Sequence, residues 1–426
     1  MNGDLLVRNI AQIKGDKFLS NSFIFFVGSL LANLGNYLFH FLMARMLTVE
    51  GYGELQSLLA LSIIAGIPAA ALLTVIVKYA ASFEAKKQLN KVYSLFSLFT
   101  KRILLITIIF FVLFIFSSKY IADFLNLISV IPVLILGLSF LIIFLQSINS
   151  GILQGLQKFK DLSIISVIST LFKILLAVLL VKLGFALNGA IGAVVLAGII
   201  GYFITFLPLK FLFKKEKEEI ETKEIFRYSF PVFFTLLFMA LLYNTDIILV
   251  KHFFSPALGG QYGALTVLGH IIFFIGGPMV SVMFPMASAA HSNNGNPAKI
   301  LKKSGILVGL IGLGVLFFYF LFPGLVIKIL IGSKFLSISN FLGWFGISMF
   351  FYSLISLFSQ YFLATRQIGF VYLIGIGALL QAILISLFHN NLWQVVWIMN
   401  TVMLITLVLL IIYYFKTQKS YEPVNL

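Results

Sequence analysis

The sequence predicts an all-α polytopic membrane protein. Twelve transmembrane helices form two six-helix bundles, related by a pseudo-two-fold axis along the membrane normal, around a central cavity. Three observations carry this prediction. The 426 residues are 61% hydrophobic and only 10% charged, with a mean hydropathy of +1.08, whereas a soluble domain is about 45–50% apolar and about 25% charged. Apolar runs long enough to cross a bilayer recur along the whole chain. The second half repeats residue types of the first at a constant offset.

A spanning helix needs about 20 mostly apolar residues. Segments 19–44, 55–83, 102–117, 130–156, 162–181, 187–213, 227–250, 261–290, 304–322, 338–364, 369–388 and 392–415 meet that requirement. Residues 1–18 are too polar for a signal-peptide core and are expected to remain as a cytoplasmic segment, with a short surface helix over Leu5, Leu6, Ile10 and Ile13. Residues 19–213 make an amino-terminal lobe of six spans. The charged linker KKEKEEIETKE, 214–224, separates it from a second lobe of six spans over 225–415, and 416–426 form a cytoplasmic tail.

The net charge of +16 would suggest nucleic acid in a soluble protein, but cytoplasmic loops of membrane proteins collect Lys and Arg. No nucleic-acid partner is expected. Arg45, Lys119, Lys182, Lys251, Lys328 and Lys334 fall in the loops of one side. Nearly all the other basic residues fall on the opposite side, which predicts cytoplasmic termini in a cell membrane. Lys78 and Lys173 belong to neither side and lie inside spans. With no cysteine, disulfides, thiolate metal sites and cysteine nucleophiles are excluded.

The repeat is specific. YGELQSLLALSIIAGIPAA (52–70) lines up with YGALTVLGHIIFFIGGPMV (262–280), placing Tyr52, Gly53, Gly66 and Pro68 on Tyr262, Gly263, Gly276 and Pro278. At the same offset Asn33 and Asn36 fall on Tyr243 and Asp246, and at a slightly different one SINS (147–150) matches SLFS (356–359). Because each half has an even number of spans, the repeats run parallel, the geometry of an alternating-access carrier. Pro68, Pro278 and Pro285 are expected to bend the second and eighth spans.

Polar side chains inside spans face the bundle interior or water. Asn33, Asn36, Tyr37 and His40 share one face of the first span, and Gln146, Asn149, Ser150 and Gln154 one face of the fourth. Ser353, Ser356 and Gln360 align on the tenth. Amide stripes of this kind suit a cavity wall, and helix–helix hydrogen bonding is the plainer alternative. Lys78 is near enough to the cytoplasmic end of its span to snorkel. Lys173 is not: at 1.5 Å per residue it lies roughly 18 Å from Asp161 and roughly 14 Å from Lys182, beyond the reach of a stem of about 6 Å. An intramembrane cation calls for a partner. The carboxylate well inside a span, Asp246, sits at a depth roughly 10 Å away, which leaves an anionic ligand entering a hydrated cavity, or a structural lysine in a solvated gap, as the two readings. His40 and His270 fit packing as readily as proton chemistry.

Enzyme signatures are missing: no P-loop, HExxH or GxSxG occurs, and the outer carboxylates Glu50 and Glu54 form no Asp pair for a metal. No cofactor or metal is expected. The residues read as a carrier.

ARMLTVEGYGELQSL (44–58), with the GIP that follows it, and NSGILQGLQKFK (149–160) resemble segments of the polysaccharide-transporter branch of the multidrug/oligosaccharidyl-lipid/polysaccharide exporter superfamily. The resemblance implies a flippase that moves undecaprenyl-diphosphate-linked oligosaccharide repeat units, for O-antigen, capsule or exopolysaccharide, from the inner to the outer leaflet. Twelve spans suit O-antigen and capsule flippases better than the fourteen of lipid II flippases. The resemblance further implies that Lys173 meets the diphosphate of the polyprenyl-linked substrate, with Lys78 and Arg45 as further candidates; Arg45 fits equally a loop residue that caps the outer end of its helix. The amide stripes would bond sugar hydroxyls, the polyprenyl tail would stay in membrane lipid, and Asp246 and His270 are candidates for coupling. A polysaccharide polymerase is the implied protein partner. A lipid II flippase, or a drug or organic-cation exporter of the same superfamily, is the alternative, but the exporter would line its cavity with carboxylates, and the corresponding first-span position is Asn36.

Overall fold

The computed structural model describes residues 17–220, 223–292 and 295–419. Among them all regular structure is helical. The surface helix expected over Leu5–Ile13, part of the linker and most of the tail lie outside the described residues. α1 runs Lys17–Met46, α2 Val49–Ala65, α3 Ile67–Ala85, α4 Leu89–Phe116, α5 Ser118–Phe124, α6 Ile131–Gly155, α7 Phe159–Leu180 and α8 Ala186–Leu209. In the second half α9 runs Lys223–Phe253, α10 Pro256–Ser292, α11 Pro297–Leu321, α12 Pro323–Leu330, α13 Ser339–Ala364, α14 Phe370–Leu387 and α15 Leu392–Lys419.

Ten helical stretches among the described residues are long and apolar enough to cross a membrane. One of them, Phe159–Lys214, holds two of the expected spans, since α7 and α8 run on through a wide turn at Val181–Phe185 where Gly184 takes φ 94. The expected second span is divided. Pro68 sits in the first turn of α3, and the amides of Ala69 and Ala70 turn back to the Gly66 carbonyl at 3.0 and 3.1 Å. A proline cannot donate to the preceding turn, so the helix restarts there. The matching Pro278 and Pro285 leave α10 continuous. The helix that carries the expected third span, 102–117, begins before it: α4 starts at Leu89, and Val92, Leu95, Phe96 and Phe99 bury one face of its first turns. Lys91, Lys101 and Arg102 dilute the hydropathy there without weakening that face.

Three helices end alike. Lys87, Gln157 and Arg366 take left-handed φ of 57, 55 and 58. The next amide, of Gln88, Lys158 or Gln367, donates back to the carbonyl of Phe83, Leu153 or Phe362 at 2.8–2.9 Å. These closures satisfy the orphan carbonyls of α3, α6 and α13 and start the next helix within four residues.

The chain forms two compact units. In the first, α1 packs on α7, α7 on α8, α6 on α3, α4 and α8. In the second, α13 packs on α10, α11 and α15, and α15 on α14. The repeat read from the sequence therefore recurs as packing: second span on fourth as eighth on tenth, fourth on sixth as tenth on twelfth.

The second unit also takes in Leu47–Ala65 and Phe124–Leu127, which come from the first half of the chain. Thr48 caps α2 by accepting from the Gly51 amide at 3.0 Å. Tyr52 is buried against Phe335, with ring centroids 5.6 Å apart. Lys251 and Glu54, both buried, form an ion pair at 3.9 Å, and the Lys334 ammonium donates to the Leu47 carbonyl. Asn126 donates to the carbonyls of Lys251 and His252, at 3.3 and 2.7 Å, at the end of α9. Backbone meets backbone where Gly53 faces Gly260: a Cβ on Gly53 would lie 2.6 Å from the Gly260 Cα. Gly53→Val is expected to cost about 1–3 kcal/mol by overpacking, read as a lowered thermal midpoint of the detergent-purified protein. Leu58→Val, a smaller change within the same helix, should cost less.

Candidate functional site

Small residues bring α1 and α7 together. Gly28 and Gly35, one heptad apart, face Ser163 and Thr170 of α7, which allows close approach without a hydrophobic driving force between helices. One turn beyond Thr170, half-buried Lys173 turns onto α1. Its ammonium donates to the side-chain oxygen of Asn36 and lies 4.7 Å from the centroid of the buried Phe39 ring. His40, one turn beyond Asn36, is within electrostatic reach of the same cation. Among the described residues no carboxylate pairs with Lys173. The structure thus joins three of the expected site residues, Lys173, Asn36 and His40, around a positive charge held by neutral partners. Such a site can accept an anion, because an amide oxygen and an aromatic face orient an ammonium without neutralising it.

The other expected residues are distributed differently. Asn33 is exposed. Lys78 is exposed on α3, 5.6 Å from the Tyr79 ring centroid, and Arg45 is exposed in the last turn of α1. Asn149 is buried and committed to packing: its amide donates to the Thr205 hydroxyl at 2.7 Å, tying α6 to α8. Gln146, one turn earlier, faces Gly201 of α8 together with Ser169 of α7. Gln154 is half-buried nearer the end of α6.

In the second unit Asp246 is fully buried on α9 and accepts from the Tyr262 hydroxyl at 2.9 Å. One turn before it, Tyr243 stacks on His270 of α10, ring centroids 3.8 Å apart and 20° from parallel. The two candidate coupling residues are therefore adjacent rungs of one α9–α10 interface. No group of three His, Cys, Asp or Glu among the described residues could hold a metal.

Sequence reasoning missed the Lys251–Glu54 pair, because hydropathy put both residues in loops. It also missed Lys158, which donates to the Pro208 carbonyl at 2.8 Å, 4.2 Å from the Phe211 ring centroid. NSGILQGLQKFK is thus largely architectural. Gly151 and Gly155 meet Ile76 and Ala80 of α3 at close range, Gln157 makes the left-handed turn, and Lys158 caps the end of α8. Asn149→Leu is expected to cost about 1 kcal/mol, the value of one interhelical hydrogen bond, seen as a small drop in thermal midpoint in detergent.

Comparison with known proteins bears on the fold and the family. The chain is 28% identical over 275 residues to an uncharacterized membrane protein of Methanocaldococcus jannaschii, covering 59% of this chain and 63% of that one. The match thus spans less than two thirds of that relative's length. Among solved structures, an inward-facing multidrug resistance MATE family transporter of the MOP superfamily superposes with a TM-score of 0.74 at 14% identity, covering 92% of this chain and 96% of that one. The lipid II flippase MurJ, in an inward closed conformation, superposes at 0.71 with 17% identity, covering 92% and 87%. These likenesses establish the fold of MOP-superfamily transporters. The family described as polysaccharide biosynthesis protein matches residues 18–291. That match takes in more than half of the sequence, and the chain, a multi-pass membrane protein, belongs to the polysaccharide biosynthesis protein family.

Proposed function

We propose that the protein is a flippase that carries polyprenyl-diphosphate-linked oligosaccharide, undecaprenyl being the expected lipid, from the inner to the outer leaflet by alternating access. One observation carries the reading: Lys173 is an intramembrane cation whose partners, Asn36 and Phe39, are neutral. A diphosphate arriving with the substrate supplies the missing charge and exchanges one neutral contact for a charge-assisted one. Asn36 holds the ammonium in place before the ligand arrives. Gln146, Gln154 and Asn33 are amides in the same unit suited to sugar hydroxyls.

The fold is common to a multidrug transporter and a lipid II flippase, so it does not choose between cationic and anionic cargo. The positive charge of Lys173 supports an anionic cargo. A positive centre in the first unit repels an organic cation and attracts a diphosphate. Family membership supports the same choice. We read the termini as cytoplasmic, in a cell membrane, from the bias of basic loops. A polysaccharide polymerase that takes the delivered repeat unit is the expected protein partner.

Lys173→Gln is expected to reduce flipping by one to two orders of magnitude, about 1.5–3 kcal/mol for a charged hydrogen bond, while membrane levels stay normal. Complementation of a flippase-deficient strain measures it, and transport at wild-type rate would remove the lysine from the site. Lys173→Arg should keep part of the activity, since it keeps the charge but not the shape. For Asp246 we propose a coupling role. Asp246→Asn should retain the hydrogen bond from Tyr262 and slow transport driven by an imposed proton gradient; an unchanged rate would make Asp246 a packing residue.

A further inference from the structure

A cavity of about 670 Å³ opens in the first unit between α4 and the segment that follows α8. Its floor is one face of α4. Ser94, Ser97 and Lys101, spaced i, i+3, i+7, line it with Arg102, and Lys217 and Glu219 close the far wall. None of these residues entered the transport reading.

That wall is held in place. After α8 the chain makes a tight turn over Lys210–Lys214. Leu212 is buried in the core against α4, and Phe213 packs on Phe96 and Tyr93 with centroids 5.6 and 6.5 Å apart. Beyond it, the Glu218 amide donates to the Ser94 hydroxyl at 2.7 Å, and the Glu218 carboxylate accepts from Asn90 at 3.0 Å. With Glu218 engaged by Asn90, the three cations exceed the carboxylates of Glu218 and Glu219 by one positive charge.

The same face of α4 continues into apolar surface. Leu105, Ile108 and Val112 follow Lys101 at i+4, i+7 and i+11 and are 63%, 45% and 43% exposed. In a bilayer-crossing helix, such a stripe faces acyl chains. One line of side chains therefore passes from hydroxyls through cations to lipid-facing hydrocarbon within about 27 Å of helix. The cavity is also much larger than a bare phosphate needs.

We infer that this cavity binds the headgroup of an anionic glycerophospholipid. Lys101, Arg102 and Lys217 meet the phosphodiester, the serine hydroxyls and Glu219 meet the hydroxyls of a glycerol-type headgroup, and the acyl chains lie along Leu105, Ile108 and Val112. The site is separate from Lys173 and does not depend on the transport reading. A resident lipid there would tie the segment entering the 214–224 linker to the membrane surface.

Native mass spectrometry of the full-length protein, titrated with phosphatidylglycerol or phosphatidylcholine, tests it. Wild type should bind phosphatidylglycerol preferentially. Lys101→Gln and Arg102→Gln should each weaken that binding about fivefold, the worth of one basic residue near a charged surface. Arg102→Lys should recover most of the loss, which separates charge from folding. Ser97→Phe sets a bulky ring on the floor of the cavity while keeping every charge, and it should weaken binding as well. The paired Lys302→Gln and Lys303→Gln change in the second unit should leave binding as in wild type. Equal weakening by that pair, or no effect of Ser97→Phe, would reduce the site to diffuse surface charge. Displacement of the lipid by glycerol phosphate at comparable concentration would overturn the lipid assignment in favour of a free-phosphate site.

Discussion

Inside a bilayer there is no water to complete a hydrogen bond, so each polar group must find its partner within the protein. The backbone meets this demand by being helical, many serines and threonines meet it by donating back to their own helix, and a few longer polar side chains meet it in pairs across helix contacts. Asn149 is answered by Thr205, Asp246 by Tyr262, Glu54 by Lys251 and Lys173 by Asn36. Each pair pins one helix to another at a defined height, which apolar surface alone cannot do when lipid is as apolar as leucine. Small residues assist one of these pairings, because Gly28 and Gly35 let α1 approach α7, where Lys173 meets Asn36.

These pairs differ in whether charge is matched. Asn149 with Thr205 is neutral throughout, and Lys251 with Glu54 is balanced. Lys173 is neither, since Asn36 gives geometry without charge. A closed structural network has no use for such an imbalance, because a desolvated cation without a counter-charge is costly. In the proposed reading a ligand that brings an anion restores the balance, and this is why the charge on Lys173, and not the fold around it, carries that reading.

Legibility in the sequence followed the range of the interaction. Apolar runs and the 210-residue offset reported on spans and repeat, because bilayer thickness sets span length locally and the halves share residue types. The start of α4 was hidden because its buried face is interleaved with Lys91, Lys101 and Arg102, which a hydropathy average cannot separate. Lys173 stood out because no loop was within reach. Its partner did not, because Asn36 lies 137 residues away and only the packing of α1 on α7 brings them together.

The sequence by itself determined that the chain is helical, membrane-spanning and duplicated, and it placed one lysine beyond snorkelling reach of either loop. Those properties depend on composition and on spacing within single helices. Tertiary structure alone decided which polar residues are structural and which are available. It committed Asn149 to Thr205, turned a family-like segment ending in Lys158 into a helix cap, buried Lys251 on Glu54, and grouped α2 with the second unit although it belongs to the first half of the chain. The physical reason is that satisfaction of a polar group in a low-dielectric medium is a pairwise property, and the second member of each pair is chosen by packing across the chain.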